Sequence, residues 1–151
     1  MSEFAADPHI VDVEQFYEYP PERVWAALTT PELMARWLLE PTGFRPVVGT
    51  RFTFDAEPIA DTGFTGEVTC EVIAVRTGEL LSITWADAGA DRPGGWVVTW
   101  LLHPEGRGTR VILRHKGFDP DDEEEQRVRV AMGRGWVHTA ARLGDVLDGK
   151  P

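Results

Sequence analysis

His115 is the polar residue best placed in this sequence to do chemistry. In "TRVILRHKGF" (109–118) it alternates onto the face of Val111 and Leu113, while Arg110, Arg114 and Lys116 take the other face. A buried imidazole can orient a ligand or act as an acid or base. The plainer alternative is a core histidine bonded to a neighbour. Cys70, the one cysteine, shares a face with Val68 and Val72 and has no basic neighbour in sequence to lower its pKa. It therefore reads as a small buried hydrophobe. Glu67 and Glu71 sit opposite Val68 and Cys70 and read as the solvated side of a strand rather than an acid–base pair. His9, His103 and His138 are dispersed, without metal-ligand spacing. There is no phosphate-binding loop, dinucleotide fingerprint or nucleophile elbow. The expectation is no catalytic constellation, no cofactor and no metal.

Aromatic residues carry a second signal. The chain has six Trp and seven Phe against two Tyr. Such side chains fill cores, but they also line apolar pockets. Trp37, Phe52, Phe54, Trp85, Trp100, His115, Met132 and Trp136 each fall on the apolar face of their element, and these eight are expected to line a ligand cavity.

The elements that must position them follow from periodicity. "HIVDVEQFYEY" (9–19) alternates as a half-buried strand. "PPERVWAAL" (20–28) and "TPELMARWL" (30–38) are two short helices, with Thr30 and Pro31 suited to open the second. Strands follow at 49–57, 64–75, 80–86, 96–103 and 109–118, with one more expected near Phe44–Pro46 and an exposed loop over 86–95. In "DPDDEEEQ" (119–126), Asp119 is expected to cap and Pro120 to open a helix whose first turn the acids favour. That helix continues through "VRVAMGRGWVHTAARLGDVLDG" (128–149), where Val128, Met132, Trp136, Ala140, Leu143 and Leu147 recur at helical steps. Gly133 and Gly135 interrupt it at a cost of roughly 1 kcal/mol each. The expectation is that they let the helix approach or bend around a ligand-sized space, so that Gly135→Leu destabilises the fold or blocks the cavity. Strands joined by short turns, with segregated helices, give an α+β fold: an antiparallel meander of six or seven strands covered by one long helix.

Composition bounds the rest. At 151 residues one domain is expected over 9–151, behind a loose tail at 1–8. A net charge of −10 without a basic run argues against nucleic acid and anionic membrane surfaces. No leader pattern and no long apolar run appear, and a lone cysteine suits a reducing compartment, so a cytoplasmic protein is expected.

Four stretches, "YPPERVWAALTTPELMARWL", "GEVTCEVIAVRTGELLSITW", "GTRVILRHKGF" and "MGRGWVHTAARLGDVL", resemble in order and spacing the START-like, Bet v 1-like (SRPBCC) superfamily. Within it, the chain is similar to the single-domain Hsp90 ATPase activator homologue-like (AHSA1-type) family. The resemblance spans residues 10–147 and includes the pair Gly135 and Trp136. It implies a helix-grip fold whose long C-terminal helix is held by a curved sheet, and a cavity that often takes hydrophobic molecules. It does not imply one activity. The expected function is binding of a hydrophobic or aromatic small molecule, by a monomer or homodimer. The alternatives are a polyketide cyclase- or hydrolase-like enzyme with His115 as acid or base, and a stress-related co-chaperone with a chaperone partner.

Overall fold

In a computed structural model, residues 7–55, 66–87 and 95–150 are described. Most of the expected tail (1–6) and of the 86–95 loop (88–94) lies outside them, as do positions 56, 57, 64 and 65 of two expected strands.

Strand β1 (Ile10–Tyr17) is followed by helices α1 (Pro21–Thr29) and α2 (Pro31–Trp37), then by β2 (Pro41–Thr42) and β3 (Arg51–Asp55). The long strands β4 (Glu67–Arg76), β5 (Leu80–Asp87), β6 (Trp96–Glu105) and β7 (Gly108–Lys116) precede the C-terminal helix α3 (Glu123–Leu147). The seven strands form an antiparallel sheet of order β1-β7-β6-β5-β4-β3-β2. β1 and β2 are its two edges, so α1 and α2 carry the chain from one edge to the other. This is the expected helix-grip architecture, curved sheet and long helix included.

Period-two alternation sets the inner face. In β6, Trp96, Val98, Trp100 and Leu102 are buried; in β3, Phe52 and Phe54; in β4, Val68, Cys70 and Val72. Register then builds rows across the sheet: Val11 of β1 lies beside His115 of β7, which lies beside Val98 of β6. The β4–β5 register shifts between Val72 and Ala74, a bulge of the kind that bends a sheet, and it leaves Ile73 without a cross-strand partner.

Two local expectations are corrected and a third is refined. The additional strand is Pro41–Thr42, not Phe44–Pro46; Phe44 instead buries its ring edge-on against Phe52, 5.0 Å between centroids. The cap of α3 is Asp122, whose carboxylate accepts from the N–H groups of Glu124 and Glu125. Asp119 makes a turn of its own by accepting from Asp121 N–H. Thr30 does open α2, but its hydroxyl makes no capping bond.

The C-terminal half of α3 is tied to the short helices and β1 through two of its carbonyls and through the side chains of Arg142 and Asp148. Tyr17 donates its hydroxyl hydrogen to Ala140 O (2.7 Å), and Arg23 donates to Leu147 O (2.6 Å). Arg142 donates twice to Arg36 O in the last turn of α2, and Tyr19 donates to the Asp148 carboxylate. Helix ends leave carbonyls without intrahelical partners, so Arg23 and Arg142 satisfy groups, Leu147 O and Arg36 O, that would otherwise need water.

Candidate functional site

The middle of α3 brings Trp136 onto the inner face of the sheet. All eight residues expected to line a cavity are buried, from His115 at 0 % exposure to Met132 at 9 %. Seven of them join one array of ring contacts. Trp37 meets Trp100 edge-on at 6.1 Å, Trp100 meets Trp136 at 5.9 Å, and Trp136 meets Trp85 at 5.2 Å. Trp85 continues to Phe54, and Phe54 to Phe52. His115 joins the array through Trp85 and Trp136. Edge-to-face pairs at these distances are favourable beyond the area they bury.

Three further aromatic residues complete the array. Trp96 and Phe118 stack with each other at 5.0 Å and enclose His115, at 5.1 and 4.5 Å; Phe44 extends the far end. Trp96 shares the inward alternation of Val98 and Trp100 and was legible in sequence. Phe118 was not, because its burial depends on Gly117. Gly117 has φ +109°, and a Cβ there would stand 2.6 Å from Gly95 O. Only glycine lets the chain leave β7 and turn Phe118 under Trp96.

Hydrogen bonding inside the array is uneven. Trp37 donates to Ala27 O (2.9 Å) and Trp96 to the Glu125 carboxylate (3.1 Å). Trp136 donates its indole hydrogen to His115 Nδ1 (2.9 Å). Two other ring nitrogens, Trp85 Nε1 and His115 Nε2, are buried and have no partner among the described residues. Desolvation pushes the His115 pKa down to about 3, so the ring is neutral. Burial also pushes the Cys70 thiol up to about 12, which makes it a poor nucleophile. Glu71 pairs with Arg51 on the solvated face at 3.4 Å.

The rings pack closely. Between the sheet and α3 a cavity of about 20 Å³ remains, lined by Trp37 and Trp100 of the expected set together with Val13, Gln15, Tyr17, Leu113 and residues of α3. That holds about one water molecule, not a ligand. A larger open depression of about 570 Å³ lies on the solvent side of α3, bordered by Pro120, Val130, Ala131 and Arg134, and holds neither of the unpartnered nitrogens. Gly135 does not face the cavity: nothing lies within 4 Å of a Cβ built on it, which corrects the expectation that a side chain there would obstruct the site. Gly133, two residues earlier, is buried.

A curved antiparallel sheet gripping a long C-terminal helix over an aromatic interior defines the Bet v 1-like, START-like class. The family model described as activator of Hsp90 ATPase homolog 1-like protein matches residues 18–148, and the chain belongs to that family. Among solved structures, it is similar to protein MLL2253 from Mesorhizobium loti, with 33% identity, TM-score 0.78, and 94% of this chain and 98% of that one covered. CalU16 from Micromonospora echinospora is similar at 25% identity and TM-score 0.70, over 91% of this chain and 75% of that one. The Aha1 dimer from Colwellia psychrerythraea shares the fold at 17% identity and TM-score 0.72, over 91% of this chain and 95% of that one. No curated protein matches. Among the described residues, no helix is long and apolar enough to cross a membrane.

Proposed function

We propose that this protein binds a hydrophobic, largely aromatic small molecule between the sheet and α3, in one domain over residues 9–151. The observation that carries this reading is the unbroken array of aromatic faces running from Trp37 to Phe52 and meeting the enclosed gap at Trp37 and Trp100. A ligand must widen that gap. α3 is the side that must give: Met132 precedes Gly133 and Trp136 follows Gly135 near its midpoint, and its C-terminal half is fastened to β1, α1 and α2. Gly133 and Gly135 lie where the halves meet, and paired small residues are where helices bend. The eight residues expected from sequence are the proposed lining.

His115 serves this reading as an orienting group. Neutral and enclosed by rings, it is poorly suited to be a general base, so binding is preferred over a cyclase-like reaction. A single cysteine, which can form no disulfide within the chain, fits a reducing compartment such as the cytoplasm.

A thermal-shift screen against aromatic polyketides, flavonoids, fatty acids and sterols tests the proposal. Ligand at a hundredfold excess over Kd stabilises by about 2.7 kcal/mol, which raises the Tm of a domain this size by roughly 5–10 °C. A hit lost on substituting Trp100 by Ala supports the site. A flat screen across all four classes counts against it.

A further inference from the structure

We propose, building on that binding reading, that the ligand carries a neutral carbonyl oxygen, and that the indole N–H of Trp85 and the Nε2–H of His115 are the donors that receive it. The argument starts from Trp136. An indole nitrogen can only donate, so the 2.9 Å contact from Trp136 Nε1 requires His115 Nδ1 to hold a lone pair. The neutral ring then carries its hydrogen on Nε2. That nitrogen is buried without a partner, and so is Trp85 Nε1.

Buried donors are nearly always paired, and each exception calls for a physical explanation. These two belong to one cluster. Trp85 and His115 lie 6.5 Å apart between ring centroids, and the Trp136 ring touches both, at 5.2 and 5.9 Å. Both are donors, so a ligand offering only donors leaves them unpaired. Neither carries charge, and the rings around His115 are those of Trp85, Trp96, Phe118 and Trp136. A carboxylate placed among those rings would lose its hydration to apolar faces. A carbonyl on an apolar, planar body satisfies the donors and suits the rings.

Fluorene and fluorenone are near-isosteric probes that differ in one oxygen. Each is titrated into the intact protein, with binding followed by tryptophan fluorescence and by the indole and imidazole N–H signals of ¹⁵N-labelled protein. Fluorenone is expected to bind roughly tenfold more tightly and to move the Trp85 indole N–H signal downfield, which fluorene does not. In Trp85→Phe the ratio of fluorenone to fluorene affinity narrows from tenfold to about threefold or less, whatever happens to the two affinities together. If that variant does not fold, the N–H signals of the unsubstituted protein decide alone. Equal affinity for both probes with an unmoved Trp85 signal overturns the carbonyl assignment and leaves apolar binding intact. Binding of neither probe overturns the binding reading, and the assignment with it.

Discussion

Lowering the pH from 7 to 5 should weaken this protein by about 2 kcal/mol more than it weakens a His115→Gln variant. The cause is a base that cannot ionise where it sits. His115 is fully buried among rings, accepts a hydrogen bond on Nδ1, and has its pKa pushed by desolvation from 6.5 to about 3. The unfolded chain presents an ordinary imidazole. Between the two pKa values the unfolded state therefore binds a proton that the native state does not, so stability falls as pH falls from about 6.5 toward about 3. Each pH unit inside that window is worth about 1.4 kcal/mol. The interval from 6.5 down to 5 gives about 2 kcal/mol, and nothing is lost above the unfolded pKa. Carboxylates titrate over the same range, so the comparison must be a difference between two proteins. Gln suits as the reference because its amide oxygen can accept from Trp136 without ionising. Urea unfolding at both pH values, followed by tryptophan fluorescence, supplies the free energies. Identical pH dependence in the two proteins would refute the reasoning, because His115 would then bind protons equally in both states.

Two glycines bracket the remaining stability predictions. Gly135→Ala should stabilise by up to about 1 kcal/mol, because open space surrounds the new methyl group and a helix interior favours alanine. That is a Tm rise of roughly 2–4 °C by calorimetry, and a fall in Tm would mean that the helix needs its flexibility in the native state. Gly117→Ala should have the opposite effect: with φ +109° and the backbone of Gly95 at 2.6 Å from the new Cβ, roughly 2 kcal/mol or more is lost. Near-UV circular dichroism should then report loosened packing of Trp96 on Phe118, and an unchanged spectrum with unchanged stability would count against the close approach.

Much of this protein is decided locally and is therefore visible in the sequence. The inward faces of β3, β4 and β6 follow from alternation, and the long face of α3 from steps of three and four, because side-chain direction depends on backbone period alone. The eight candidate residues were legible for the same reason. Even the outward direction of Gly135 was available, since it lies about 100° around the helix from the buried Trp136. What alternation cannot say is what an inward side chain meets. That the rings close on one another and leave about 20 Å³, that Trp136 takes the lone pair of His115 Nδ1, and that Trp85 and His115 Nε2 are left without acceptors all depend on where β5, β7 and α3 meet. The residues that meet there lie 21 or more positions apart in sequence, so their meeting is set by strand register and by the position of α3 on the sheet. The sequence determined which residues face inward. The tertiary structure alone decided which of their polar atoms found partners, because a hydrogen bond needs both groups in one place, and no local period encodes that.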